Sequence, residues 1–283
     1  MGNSADPPRT PSISGTLAKQ SLAELLIHAR TKRLTGRFMF RAPDGRGGII
    51  DMWRARIIRV RTNPPALYFG DVAKDLGLAD AAALESARAE AVEKKQLHGE
   101  VLVARKVLTS AQRDAVLGEQ AARKIAWIVA MPGETAFVFH DEKPSAAEPA
   151  FTLDPIAPVW RVLRDAPPSE ALSAAIAPLG RKALRIANEA PVAAAPLSAD
   201  EKKLCQLLVD RPMTLGEMGK ISGLPFARLE RLAYLLILAG CVDLVRASVV
   251  AMQAPTVFGS RAMSDEAVVA ALKATKKAPK TGE

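Results

Sequence analysis

Apolar residues recur at two spacings along the first half of the chain. Leu22, Leu25, Leu26 and Ala29 fall three and four apart, the stripe of an amphipathic helix, and Ser21 followed by Glu24 supplies a capping box to start it. From Gly36 the period drops to two. Phe38 and Phe40 alternate with Arg37, Met39 and Arg41; past a turn at Pro43-Asp44-Gly45-Arg46-Gly47-Gly48 come Ile49, Ile50 and Met52, then a further extended run with Ile57, Ile58 and Val60. This predicts a β-meander that stops near Thr62-Asn63-Pro64-Pro65, because proline cannot donate to a ladder. Residues 1–13, rich in proline and serine, are predicted to be disordered, with the first element opening at Ser21.

A weak internal repeat follows with an offset of about 29 residues, FGDVAKDLGLADAAALESA from Phe69 against HGEVLVARKVLTSAQRDAV from His98. Each copy has Gly, an acid and Val (Gly70-Asp71-Val72; Gly99-Glu100-Val101), a short helix, a break, and a second helix opened by Asp80 or Thr109. Helices this short cannot bury an apolar face alone, so the copies are expected to pack on each other or on the sheet. A turn at Pro132-Gly133 then introduces a strand from Ala136 to His140 that can complete the sheet. Residues 143–196 are predicted to be linker and helical connector, carrying Ile156, Val159, Trp160 and Leu163 at helical spacing. Residues 197–250 predict three helices: one from Ser198 or Asp200, one capped by Thr214 with Glu217, and one from Pro225 to about Ala239. Gly240 ends the third, and a strand follows from Cys241 to Val245, a winged-helix-like arrangement. Residues 251–283 are expected to form a flexible basic tail. The fold class is α+β, with a β-meander, packed helical repeats, a helical connector and a C-terminal winged-helix-like domain.

Composition narrows this only a little. The 283 residues are 49% hydrophobic and 24% charged, ordinary for a globular chain, and only 5% aromatic. The formal charge of +9 suits an acidic partner, nucleic acid or anionic lipid, but Lys273, Lys276, Lys277 and Lys280 place part of it in the last residues. Cys205 and Cys241 lie in apolar surroundings without metal-ligand spacing and are expected to be buried free thiols. The start of the chain lacks an apolar core, and the longest apolar run, residues 232–242, is too short to span a bilayer, so a cytoplasmic protein without membrane insertion is expected.

From Ser14 to about Asp141 the chain resembles the PATAN-like domain, a bacterial signalling family of unknown biochemical function. The resemblance is carried by Gly15 and Leu17, by Leu22, Leu25 and Leu26, by Thr35-Gly36 before a strand, by the two Gly-headed repeats, and by the Pro-Gly turn before Phe137 and Phe139. It assigns residues 14–142 to that domain and implies regulation by protein contact, with no catalytic residues. The repeats also resemble the cyclic-di-GMP modules of secretion and pilus ATPases through Gly70, Gly77, Gly99, Leu84, Leu102, Leu117 and Gln120. Tyr68 and Leu97, however, stand where that motif has arginine, His98 replaces its leucine and Lys106 its second glycine.

Candidate chemistry is sparse. His28, His98 and His140 are scattered without ligand spacing, and Gly45-Arg46-Gly47-Gly48 lacks the Lys-Ser/Thr of a phosphate loop, so no catalytic residue, metal ligand or cofactor is predicted. The arginines are the sharper signal. Arg37, Arg41, Trp53, Arg54, Arg56 and Arg59 are the predicted partner-binding residues, a platform for an acidic protein surface on which Arg makes bidentate carboxylate contacts. Arg59 falls out of phase with Arg54 and Arg56, so one shared patch requires a bulge or twist. The alternative is a transcription regulator whose third C-terminal helix enters DNA with Arg228 and Arg231. The expected function is therefore a non-enzymatic bacterial regulatory or adaptor protein acting on a signalling, polarity or motility partner, with DNA binding second and cyclic-di-GMP binding third.

Overall fold

A computed structural model describes residues 12–246 apart from 66, 143–148, 150, 167–169 and 181, and shows a mixed α and β chain built on a five-stranded antiparallel sheet. The strands β1 (Ile13–Thr16), β2 (Gly36–Arg41), β3 (Gly47–Trp53), β4 (Arg56–Asn63) and β5 (Ala136–Asp141) lie in the order β1-β5-β2-β3-β4. The final strand therefore enters between β1 and β2. It is held in register by Phe139 opposite Phe38 and Phe137 opposite Phe40. The rings of Phe38 and Phe139 stand 4.5 Å apart, within the range for offset aromatic contact.

One sheet face is buried. Phe38, Phe40, Ile50, Met52, Ile57, Val60, Phe137 and Phe139 join a single apolar cluster with Leu22, Leu25, Leu26 and Ala29 of α1 (Leu22–Thr31). The capping box predicted at Ser21 and Glu24 is present. The strand β1 was not predicted: Ile13-Ser14-Gly15-Thr16 is too short to show a period, and it is a strand because β5 offers it an edge. Of the segment expected to be disordered, residues 1–11 lie outside the described residues, as does the expected tail at 251–283.

The repeat is built as four helices, α2 (Phe69–Asp75), α3 (Ala81–Glu93), α4 (His98–Ala104) and α5 (Ser110–Val129). The copies pack on each other through a second cluster that includes Val72, Leu84, Val101 and Val116. Gly70 lies against the His98 ring and Gly99 against the Phe69 ring, each so close that a Cβ would sit 3.2 and 3.1 Å from it respectively. The two glycines thus let α2 and α4 approach reciprocally. Equivalent breaks at Gly77 and Lys106 both adopt the left-handed region, with φ of 66° and 59°. The long helix α5 joins the two cores, with Val116 in the repeat cluster and Ile125 and Ile128 in the sheet cluster.

Downstream come α6 (Ile156–Asp165), α7 (Glu170–Ile176), β6 (Lys182–Ile186), α8 (Ala190–Ala193), α9 (Ala199–Asp210), α10 (Leu215–Ser222), α11 (Phe226–Leu238) and β7 (Val242–Arg246). Two expectations are corrected here. The region 143–196, expected to be only linker and helical connector, contains the strand β6, which pairs antiparallel with β7 and bridges to Met213, and its closing stretch after β6, expected to be linker, contains the short helix α8. Lys182–Ile186 is strand because β7 and Met213 satisfy both its edges, a pairing that local periodicity does not reveal. The sheet cluster continues without interruption into Leu204, Leu208, Leu232, Leu236 and Cys241, with the fully buried Trp160 of α6 among them.

The repeat yields a paired prediction. A left-handed conformation costs a side chain about 1 kcal/mol, and glycine returns part of that through the unfolded chain. Lys106→Gly is expected to raise unfolding stability by about 0.5 kcal/mol and Gly77→Ala to lower it by about 1 kcal/mol; urea denaturation with opposite shifts of the two midpoints checks it.

Candidate functional site

The face of the five-stranded sheet that turns away from α1 is left uncovered by the described residues. Met39 is 42% exposed, and Arg41, Arg59, Arg61 and Ala136 are exposed beside it. The register places its side chains in rows across the strands. The first row runs His140, Arg37, Asp51, Arg59; the second Val138, Met39, Ile49, Arg61; the third Ala136, Arg41, Gly47, Asn63. A row of apolar side chains thus lies between two rows that carry arginine. A groove of about 640 Å³ opens over Met39, Arg41, Ile49, Arg61, Ala136 and Val138.

How β4 delivers Arg59 and Arg61 to this face is a matter of register. Met52 pairs with Ile57 but Asp51 pairs with Arg59, so Ile58 is an extra residue in β4, a β-bulge. Ile57 and Val60, three apart, both reach the core, and Arg59 and Arg61 turn outward. A bulge, one of the two ways by which Arg59 could share a face with Arg56, is therefore present. Trp53 and Arg56 close the β3–β4 hairpin through Arg54 and Ala55, whose φ values of 45° and 72° are those of a two-residue hairpin turn. The turn is fastened to the α1–β2 connection, Arg54 N–H donating to Thr35 Oγ1 at 2.9 Å and Ala55 N–H to the Leu34 carbonyl at 3.0 Å.

Asp51 organises the first row. It is 4% exposed and accepts from Arg37 Nε at 2.5 Å and Arg59 Nε at 2.7 Å, with Arg61 at 3.5 Å. Burial alone would disfavour the charged carboxylate, but the hydrogen bonds and charges of Arg37 and Arg59 outweigh it and hold the Asp51 pKa below the ordinary aspartate value. The guanidinium groups are thereby fixed in place, and most of their five N–H donors remain unused by Asp51.

The predicted partner-binding residues divide between this cluster and its edge. Arg37 and Arg59 converge on Asp51, Arg37 also lying 3.7 Å from Glu142. Arg41 is exposed and forms no ion pair among the described residues. Arg54 stacks over the half-buried Trp53 ring at 4.8 Å, and Arg56 is drawn to Asp154 at 3.2 Å, which also holds Arg30. Sequence reasoning missed Asp51 and the apolar row Met39, Ile49 and Val138. The signal was available: if Phe38 and Phe40 face inward, Met39 and its arginine neighbours face outward.

The two arginines of the DNA alternative are turned into the protein. Arg228, 23% exposed at its side chain, donates from Nε to the fully buried Glu201 at 2.5 Å, lies over the Trp160 ring at 5.4 Å and stands 3.8 Å from Asp165. Arg231 donates to the Arg164 carbonyl at 3.3 Å. Both tie α11 to α6, and Arg228 ties it to α9 as well.

Other candidate groups have structural roles. His98 Nε2 lies 3.0 Å from the Leu84 carbonyl, and burial lowers its pKa. Cys205 and Cys241 are buried free thiols, pushed by burial up to about 12 and about 11 respectively. Among the described residues no group of three or more His, Cys, Asp or Glu side chains is placed to hold a metal, and no helix is long and apolar enough to cross a membrane. No family model, curated protein or solved structure matches this chain.

Two predictions follow the arginines. Asp51→Asn leaves Arg37 and Arg59 without their anion and is expected to lower stability by about 1–2 kcal/mol near neutral pH, a range discounted because both arginines are partly exposed. Because the folded pKa is depressed, this contribution is fully present above the unfolded value near 3.8 and is lost as pH falls through the folded pKa. The gap between wild type and variant, measured by denaturation from pH 7 downward, is therefore expected to close in acid. Arg228→Ala strands the buried Glu201 carboxylate and is expected to cost about 2–4 kcal/mol, whereas Arg41→Ala changes stability by less than about 0.5 kcal/mol; an Arg228→Ala midpoint equal to wild type would remove the assigned role.

Proposed function

We propose that this protein is a non-enzymatic regulatory adaptor that binds an acidic protein partner on the open face of its five-stranded sheet. The observation that carries the reading is the row of exposed Met39 flanked by half-buried Val138 and Ile49, lying between arginine rows, an apolar centre with a charged rim. Protein interfaces have that composition, and arginine supplies the rim because its planar fork meets carboxylates in pairs. Asp51 supports the same reading, since arginines already fixed in place lose less freedom when a partner docks.

A PATAN-like identity for residues 14–142 belongs to this proposal. The motifs behind it fall in β1, α1, the β-meander β2–β4, the repeats and β5, parts of one sheet-and-helix unit. It supports a signalling or polarity context and a cytoplasmic location. The winged-helix-like reading of the last unit is likewise supported by α9, α10 and α11 with Met213, β6 and β7. Its service as a scaffold rather than a DNA reader is favoured by the inward contacts of Arg228 and Arg231.

The test is capture at a defined atom. A photo-reactive residue replacing Met39 in the full chain, irradiated in lysate of the native cell, is expected to give one discrete protein adduct. Salt at about 0.5 M, where the Debye length shrinks to a few ångströms, should suppress it, and the same residue at exposed Lys202 should not give it. Identical products from both positions, or none from Met39, would sink the adaptor reading.

A further inference from the structure

The partner element itself has a shape that the sheet face specifies. Val138, Met39 and Ile49 stand side by side on β5, β2 and β3, so the apolar row runs perpendicular to the strands. Adjacent strands lie about 4.8 Å apart, giving the row a length of about 10 Å. The arginine rows lie two residues away along the strands, about 7 Å to each side, Arg37 and Arg59 on one flank and Arg41 on the other. A docked element must therefore cross the strands, present apolar groups over about 10 Å, and carry anions on both flanks.

An α-helix meets those dimensions. Residues i and i+7 on one face are separated by about 10.5 Å, and a helix with its side chains is about 10–12 Å wide, so groups beside its apolar stripe reach rows about 14 Å apart. We infer that the sheet face receives an acidic amphipathic helix of a partner protein, laid across β5, β2 and β3. Its i, i+3/i+4, i+7 apolar stripe sits on Val138, Met39 and Ile49, and Asp or Glu on its flanks meets Arg37, Arg41 and Arg59. This rests on the adaptor reading and specifies its partner.

Charge and the apolar row argue against the other occupants. A second copy related by a two-fold axis would set arginine rows against arginine rows. A nucleic acid would meet the apolar row of Val138, Met39 and Ile49 at the centre of the face, where single strands favour aromatic stacking platforms. Among the described residues the rings on this face are Trp53, half-buried and already covered by Arg54, and the half-buried His140.

The probe is a fluorescein-labelled 15-residue peptide with leucine at i, i+4 and i+7, glutamate on both flanks and alanine elsewhere, titrated with the full chain by fluorescence anisotropy. Saturable binding is expected, weakened at least about tenfold by Met39→Glu and by Arg41→Glu, two exposed positions whose replacement is expected to leave the fold intact, as an unchanged circular-dichroism spectrum would check. Binding is also expected to be lost for a peptide with lysine on the flanks and for one broken by a central proline. Several results would overturn the inference: no binding, equal binding of the proline-broken peptide, indifference to both substitutions, or preference for a DNA duplex over the acidic peptide. If the peptide fails while the Met39 adduct persists, the helix is wrong and the adaptor reading stands; if both fail, both fall.

Discussion

A β-strand turns its side chains to alternate faces, so Ile57 and Val60, three residues apart, cannot both enter the core of a regular strand. Both do enter it, because Ile58 is an extra residue opposite the step between Asp51 and Met52. The arginines that β4 presents on the outer face depend on that bulge. It sets Arg59 directly across from Asp51, with Arg37 on the other side of the same carboxylate, and places Arg61 at the end of the Val138-Met39-Ile49 row. In a regular ladder one end of β4 would bury its arginines or expose its isoleucine and valine. Burial of Ile57 and Val60, at about 25 cal/mol per Å² of apolar surface, determines which arrangement wins.

The same economy of faces explains how the rest of the chain is attached. The sheet gives its inner face to α1 and α5, and α6 packs on α5, α1 and α11 with Trp160 at the centre. Arg228 lies over that ring and neutralises Glu201, a carboxylate that also accepts from the Ser198 N–H in the cap of α9. One buried ion pair thus serves a helix cap, an interhelix contact and the cover of an aromatic ring. An arginine so occupied is a joint of the scaffold.

Much of the architecture was legible because it rests on local rules. The helix from Leu22 shows its stripe and its capping box, the helix from Thr214 and Glu217 likewise, and the alternation around Phe38 and Phe40 fixes which side of β2 is apolar. The repeat was legible from matched Gly-acid-Val headings, and the structure adds why its glycines are small: each receives the ring that begins the other copy. What stayed hidden depends on distant partners. Ile13–Thr16 becomes strand only against β5, and Lys182–Ile186 only against β7 and Met213. The arginines could be counted in the sequence, but not sorted into those held by Asp51, those drawn to Asp154, and Arg41, which forms no ion pair among the described residues.

The sequence by itself determined the helices with caps and stripes, the alternation of the β2–β4 strands and the excess of arginine around their hairpins, because capping, periodicity and turn chemistry act over a few residues. Only the tertiary structure decided which arginines share a face, that Arg228 turns inward to Glu201, and that an apolar row lies between basic ones. Those outcomes follow from strand register and core packing, which join residues as far apart as Met39 and Val138.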